Sequence, residues 1–559
     1  MSGVDEEKHM KCELKLLSSL EKIFFENFTD LPEYTVGSML KNEIFSFQLA
    51  TWGEGEIVTR HKCKIQVESE LAPYIQMKKI DYVPSMLPLI EAKACDDYLV
   101  RRPGVLFPDP LHTIKNGEIE IFLHQARALW ITIEPKGEVV GTYPITFKIY
   151  NPKEELIGEK CFTIDIIDQE LPELDIHNTC WFHGDCLAAL HNVEILSEEY
   201  YEVVKKYLAT FTKFGHNMIL TPIFTPPLDT VVGGERPTNQ LIDVVVNEGK
   251  YSFGFDKLKY WIDLCHSFGI KYFEMAHFFT QWGAYHAPKI MATVDGEYKK
   301  IFGWETDALS DEYKEFLHTL LPELIAFLKA EGVMDDCLFH VSDEPREVHE
   351  TQYRNVKDIL LEHLDSSQLI DALSDYSFYE KGIVTKPVVS TKYIQDFIAH
   401  DIKGLWAYYC TSEGKDVSNR FMAMPSYRNR ILGYQLYKYE IAGFLQWGYN
   451  FWFKELSVGV LNPYEDTTAG GAFQSGDAFV VYPLDEDGEV VCSTRLYVFH
   501  ETMQDLRALK LLEALTDRQT VMDMLGDIDL FASYPRNNEY IIKLREQVNS
   551  KIKALTSLK

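Results

Sequence analysis

Residues 197–221 run SEEYYEVVKKYLATFTKFGHNMILT, a helix, a glycine and a strand in one short stretch. Ser197 suits a helix cap, because its hydroxyl can accept from an orphan amide of the first turn. Val203, Val204, Tyr207, Leu208 and Phe211 then fall on one helical face. Gly215 suits a left-handed stop, and 217–221 follows as a short strand. The unit recurs. Leu258, Trp261, Ile262, Cys265 and Phe268 mark a helix ending at Gly269, before a strand over 271–275. A third helix opens near Ser310 and ends at Gly332, with Pro322 predicting a kink or break, before a strand from Leu338. Further strands are expected at 180–183, 369–373, 388–390, 405–409 and 444–447. Eight strands alternating with helices imply right-handed parallel crossovers, which favours a closed (β/α)8 barrel over an open doubly wound sheet.

The first third has a different rhythm. Period-two patterns over 62–68, 129–134, 142–150 and 162–167, with turns such as Pro135-Lys136-Gly137, predict an antiparallel β-sandwich ending near Leu171-Pro172. From Thr494 onward Leu496, Phe499, Met503, Leu506, Leu509 and Leu512 make one helical stripe. The chain is therefore expected to be a multidomain α/β protein: a sandwich over 1–172, a barrel over 173–510 and a helical tail over 511–559 packed on the barrel.

Composition narrows the function. With 559 residues and 46% apolar content the chain can bury more than one core. A formal net charge of −30 argues against nucleic acid or an anionic membrane as the main partner, and favours a neutral substrate. The start, MSGVDEEKHMKCELKLL, is acidic where a signal peptide is basic, and no stretch approaches a membrane span. The 10 cysteines show neither CxxC nor a zinc spacing. A reducing cytoplasmic location and no membrane insertion are the expectations, and no metal or cofactor is called for. The triplet Asn27-Phe28-Thr29 is at chance frequency for a glycosylation signal.

Within the barrel, Leu338 to Pro345 reads as a buried strand that stops on two adjacent carboxylates, Asp343 and Glu344. Pro345 has no amide to donate and disfavours helical geometry at Glu344, so both acids are expected at a carboxyl-terminal strand mouth. Two crowded carboxyls tend to split into one ionised and one protonated group, as acid/base chemistry requires. A helix cap beside a solvated acid is the plainer reading of an isolated Asp-Glu. The other strand ends add His183 and Asp185, Asn217, Glu274 and His277, Asp375, Trp406, Tyr408 and Tyr409, and Gln446, Trp447 and Asn450. Sugars offer apolar ring faces and polar rims, and an aromatic, polar and acidic mouth suits them. Singly, Trp406 or Trp447 could be core filler, and His183 or His277 a satisfied buried group.

Four segments, Trp181-Phe182-His183-Gly184-Asp185-Cys186, Phe224-Thr225-Pro226-Pro227-Leu228, His277-Phe278-Phe279-Thr280-Gln281-Trp282-Gly283 and Ser342-Asp343-Glu344-Pro345, resemble glycoside hydrolase family 123, the β-N-acetylgalactosaminidases. Pro103-Gly104, Pro108-Asp109-Pro110-Leu111, Gly476-Asp477 and Ser493-Thr494-Arg495 also resemble that family and its wider relatives. The resemblance spans most of the chain and implies a β-sandwich followed by a (β/α)8 barrel. It also implies retaining, substrate-assisted hydrolysis of terminal N-acetylgalactosamine from a glycan or glycosphingolipid oligosaccharide. The acetamido carbonyl attacks the anomeric carbon and an oxazolinium intermediate forms, which water then opens. Carried over by motif, Glu344 is the general acid and then base, while Asp343 holds the acetamido nitrogen and stabilises the developing positive charge. For binding, Trp447 and Trp406 are expected to floor the sugar subsite and Tyr408 to donate to the acetamido oxygen. His183, Asp185, Asn217, His277 and Gln281 are expected to meet hydroxyls.

Three other readings stand beside this one. A metal-dependent hydrolase could use His183, Asp185, His277 and Asp343, although no HxH or HExxH supports it. A non-catalytic sugar-binding protein could keep the same pocket. An ordinary two-carboxylate glycosidase would need a second acid such as Asp375 or Glu274. The residues alone do not choose between galacto and gluco sugars, which differ at one hydroxyl, and they leave the oligomeric state open.

Overall fold

Gly215, Gly269 and Gly332 close their helices with φ of 90°, 87° and 74°. Each hands the chain to a barrel strand without the penalty a Cβ would bring. Ser197 and Ser310 cap the helices Glu198–Lys213 and Asp311–Ala330, their hydroxyls accepting from the amides of Tyr200 and Tyr313. The second of these helices runs unbroken through Pro322, contrary to the expected break. Its face of Leu317, Leu320, Leu321, Leu324 and Leu328 is fully buried, and that packing outweighs one lost backbone hydrogen bond.

These elements belong to a computed structural model that describes residues 11–55, 60–85, 105–137 and 139–557. Eight parallel strands close into a barrel, in the order His177–Cys180, Met218–Thr221, Tyr272–Met275, Cys337–His340, Leu369–Leu373, Pro387–Ser390, Trp406–Tyr408 and Gly443–Gln446. The first pairs with both the second and the eighth, which closes the ring. All are short and buried almost throughout, so they read as apolar runs rather than alternations. The first strand begins earlier than expected and ends at Cys180, leaving His183 as the N-cap residue of the helix Gly184–His191. A four-stranded sheet built from Asp243–Asn247, Lys250–Gly254, Ile290–Val294 and Glu297–Phe302 is inserted after the second and third strands.

The amino-terminal part forms two sheets that share one core. The five-stranded sheet runs Val36–Leu40, Leu156–Ile167, Gly141–Tyr150, Arg60–Glu68 and Glu118–Phe122, its first pair parallel and the others antiparallel. Phe47, Leu49, Ile131, Ile145, Phe147 and Phe162 fill the space between the sheets, with Phe47 stacked on Phe162 at 4.1 Å. The seven-stranded sheet takes its last two strands, Val490–Ser493 and Val481–Leu484, from beyond the barrel. The helix Thr494–Leu515 that follows is enclosed along most of its length, not only on its apolar stripe.

Two segments nearly four hundred residues apart meet at this junction. Arg495 donates to both oxygens of Asp109 at 2.8 and 2.9 Å and to the carbonyl of Gly476, and Tyr482 donates to Asp109 at 2.6 Å. Both charges are buried. Pro103-Gly104 lies outside the described residues. Removing one partner of such a pair strands the other charge, so Asp109→Ala is expected to cost about 3–5 kcal/mol of stability. Chemical denaturation monitored on both sheets and barrel checks this, and a change under about 1 kcal/mol would contradict it. Among the described residues no helix is long and apolar enough to cross a membrane.

Candidate active site

The fourth barrel strand stops at His340, three residues before Asp343, rather than running to the acid pair. Val341 and Ser342 are buried and carry the chain over the rim, with the Ser342 amide donating to Asp371 at 3.1 Å and its hydroxyl to the Thr280 carbonyl at 2.9 Å. Asp343 and Glu344 then emerge half-buried at the carboxyl-terminal mouth. Glu344 has φ of 44°, a left-handed conformation that a non-glycine residue adopts only when its surroundings impose it. This left-handed turn, rather than a twisted strand, is how the backbone carries the two acids at the rim.

Beneath the pair lies a buried charged layer. His340 Nε2 bonds Glu274, and its Nδ1 lies 3.6 Å from Asp371. Glu274 also accepts from Thr179 at 2.7 Å and from the Trp181 indole at 2.6 Å, and Asp371 from Tyr353. Burial works against an imidazolium here, yet the two flanking carboxylates outweigh it and raise His340 to about 9. His277 stacks on His340 at 4.2 Å and is completely buried. Burial first, and then the His340 charge, keep it neutral.

The acid pair responds to this setting. Burial lifts Asp343 to about 8, with the neighbouring Glu344 adding to the rise and His340 opposing it. Burial also raises Glu344, while Tyr408, donating its hydroxyl at 2.6 Å, pulls it back. Two close carboxylates of this kind share one proton near neutrality. The Tyr408 bond favours the ionised form of Glu344, while burial and the neighbouring carboxylate favour the protonated form of Asp343.

Each residue expected at the mouth has a definite place. Trp447 is half-buried, packed against Phe451 and Phe473 at 5.1 and 5.3 Å, with its indole donating to Asp477 at 3.2 Å. Tyr408 reaches Glu344 from the seventh strand. His183 and Asp185 sit behind this wall: Arg236 donates to both Asp185 oxygens at 2.8 Å and to His183 Nδ1 at 3.1 Å. His183 Nε2 is spent on the Trp447 carbonyl at 2.8 Å. Gln281 accepts from the Asp229 amide at 2.7 Å and donates to Thr230, tying two loops together instead of offering its amide to a hydroxyl.

Asn217 and Trp406 are at the wrong end of the barrel. Asn217 precedes the second strand and bonds the Asn178 amide and Ile176 carbonyl at 2.8 and 2.9 Å. Trp406 opens the seventh strand, stacks on His177 at 4.9 Å and lies against Gly443, which has no side chain to intervene. Both residues begin their strands, whereas the mouth is built by residues that end them. Arg236 and Asp477 were not legible as site residues. Asp371, a carboxylate inside the apolar run 369–373, is a sequence signal of buried polar structure.

Residues 181–512 match the model described as the glycoside hydrolase 123 catalytic domain. The chain belongs to glycoside hydrolase family 123. Its fold is similar to that of a family 123 glycoside hydrolase from Clostridium perfringens, whose structure addresses glycolipid glycan hydrolysis. The two share 14% identity and a TM-score of 0.73, covering 98% of each chain. A β-glucuronidase from Parabacteroides merdae is far more distant, at 12% identity and a TM-score of 0.31, covering 88% of this chain and 52% of the other. A comparison with curated proteins finds no match. This family 123 chain is thus a glycoside hydrolase acting on carbohydrate, with its half-buried acid pair inside the matched region.

Proposed function

We propose that the protein is a retaining, exo-acting β-N-acetylgalactosaminidase that releases terminal β-linked N-acetylgalactosamine from glycans or glycosphingolipid oligosaccharides. The acetamido group of the substrate acts as the nucleophile. The observation that carries this reading is the state of the other carboxylates. Asp375 caps the helix Tyr376–Glu380, accepting from the Ser377 amide at 2.9 Å, and Glu274 is locked beneath the mouth by Thr179, Trp181 and His340. Neither is free to attack an anomeric carbon, so a nucleophile from the substrate answers the need. Metal chemistry through His183 and Asp185 is disfavoured because Arg236 already occupies their ligand atoms.

In this mechanism the acetamido N–H donates to Asp343. A hydrogen bond to the charged form lowers the Asp343 pKa, and the proton of the pair moves to Glu344, where the leaving oxygen needs it. The carbonyl oxygen bonds to C1 as the glycosidic C–O bond breaks, and Glu344 delivers its proton to the departing oxygen. Ionised Asp343 stabilises the positive charge of the oxazolinium. Glu344 then takes a proton from water, which adds to C1 and reopens the ring with net retention. The half-buried Trp447 face suits the apolar face of the sugar.

Hydrolysis of aryl β-N-acetylgalactosaminide, with the N-acetylglucosaminide and the unsubstituted galactoside beside it, tests the proposal. Turnover of the first alone is expected, and cleavage of the unsubstituted galactoside would overturn acetamido assistance. The singly protonated acid pair is the active form, so kcat/KM should decline as pH rises through about 8, where the last proton leaves. It should decline again in acid, when both carboxyls are protonated. A pH profile flat across 6 to about 9 would contradict the shared proton.

A further inference from the structure

Loop 280–286 rises beside the acid pair and is closed at its neck, with the Thr280 amide donating to the His286 carbonyl at 2.9 Å. The His286 amide returns a bond to the Thr280 hydroxyl at 3.3 Å. Three consecutive residues at its tip, Trp282, Gly283 and Ala284, have φ of 61°, 119° and 60°. Only one of them is glycine, so the surroundings hold this tip against its local preference. The holding contacts are specific. The Trp282 amide donates to the Asp343 carbonyl at 3.3 Å, and the Gln352 side chain donates to the Ala284 carbonyl at 2.9 Å. A Cβ on Gly283 would come within 2.6 Å of the Tyr285 ring and 2.9 Å of the His349 ring, so both rings seat directly on the glycine. His349 in turn accepts from the Arg346 amide at 3.2 Å, just after the acid pair.

This rigid tip leaves its large rings open. Trp282 is 41% and Tyr285 45% exposed. A partly exposed indole on a backbone held in a costly conformation, whose amide bonds the backbone carbonyl of Asp343, is placed for a ligand. Tyr408, at the end of the seventh strand, and Trp447, just after the eighth, stand at the same mouth, and Tyr408 bonds Glu344, which suits the sugar being cleaved. In the proposed reaction the glycosidic oxygen lies beside Glu344, and the rest of the glycan extends away from the cleaved sugar past it.

We propose that Trp282, with Tyr285 beside it, is the stacking platform for the leaving-group sugar and makes the enzyme selective for saccharide aglycones. The proposal rests on the N-acetylgalactosaminidase reading above. The apolar face of a pyranose would lie on the indole, and its hydroxyls would remain in water.

The test compares two substrates that share the cleaved sugar: β-N-acetylgalactosaminyl fluoride, which has no aglycone ring, and a neutral trisaccharide ending in β-N-acetylgalactosamine. The ratio of kcat/KM for trisaccharide over fluoride is expected to fall about tenfold in Trp282→Ala, mainly through KM, and to recover in Trp282→Phe. A fall in both substrates together, leaving the ratio unchanged, would show that Trp282 only supports the fold of the loop and would overturn the platform. An unaltered variant would do the same. If the wild type hydrolyses neither substrate, the N-acetylgalactosaminidase reading fails and takes the platform with it. Wild-type turnover without a selective loss removes the platform alone.

Discussion

Asp343→Asn is expected to lower kcat on an aryl β-N-acetylgalactosaminide by about 10³-fold, with a much smaller change in substrate affinity. The substitution keeps the shape of the side chain and removes its charge. The effect should therefore fall on the transition state, where positive charge develops on the acetamido group that Asp343 holds. The same change should stabilise the protein. In the unfolded chain Asp343 ionises at the ordinary carboxylate value, whereas the fold holds it protonated up to about 8. Between those two values the native state binds more protons than the unfolded state, so the wild type loses stability as pH rises through that window. Asparagine has nothing to titrate, and its melting temperature should exceed that of the wild type at pH 8 by a few degrees and match it near pH 4. Full activity in the variant would remove Asp343 from the chemistry. A lower melting temperature at pH 8 would contradict its raised pKa.

Glu344→Gln should cost about 10²- to 10⁴-fold on substrates with poor leaving groups, because the proton for the departing oxygen comes from this side chain. Activated aryl leaving groups need little protonation and should hide most of that loss in the first step. With such substrates the oxazolinium then waits for a base to activate water. Added azide needs no deprotonation, so it should restore turnover and give the β-configured glycosyl azide, reporting retention directly. An α-configured product would overturn the intramolecular mechanism. Equal losses across leaving groups would take the acid role away from Glu344. Glutamine can still accept from Tyr408 and occupy the same left-handed backbone, so the comparison isolates proton transfer from folding.

These experiments bear on residues whose visibility in the sequence differed for physical reasons. Asp343 and Glu344 stand out because an apolar run that ends in two carboxylates and a proline marks a strand end, although the pair alone has a plain structural reading and gains weight only beside the polar and aromatic residues of the other strand ends. Trp447 and Tyr408 were legible as aromatic residues near the ends of their strands. Asn217 stands just before a four-residue strand and Trp406 opens a three-residue one, and in strands this short two or three residues carry a side chain from one end of the barrel to the other. His183 and Asp185 lie in the expected segment, yet Arg236, from an irregular loop with no periodicity, takes up their polar atoms. A partner drawn from such a loop leaves no pattern to detect.

Local rules acting over a few residues determined the repeated helix, glycine and strand units, and with them the barrel: serine caps, apolar stripes and left-handed glycine stops all operate within one element. Those rules could not say that strands 481–484 and 490–493 return to complete the first sheet, or that Asp109 and Arg495 meet there. Nor could they show that His340 becomes a buried cation between Glu274 and Asp371 and carries the floor under the acid pair. Tertiary structure decided these points, because burial and the approach of charges from distant segments set both the pairing and the proton affinity of each group.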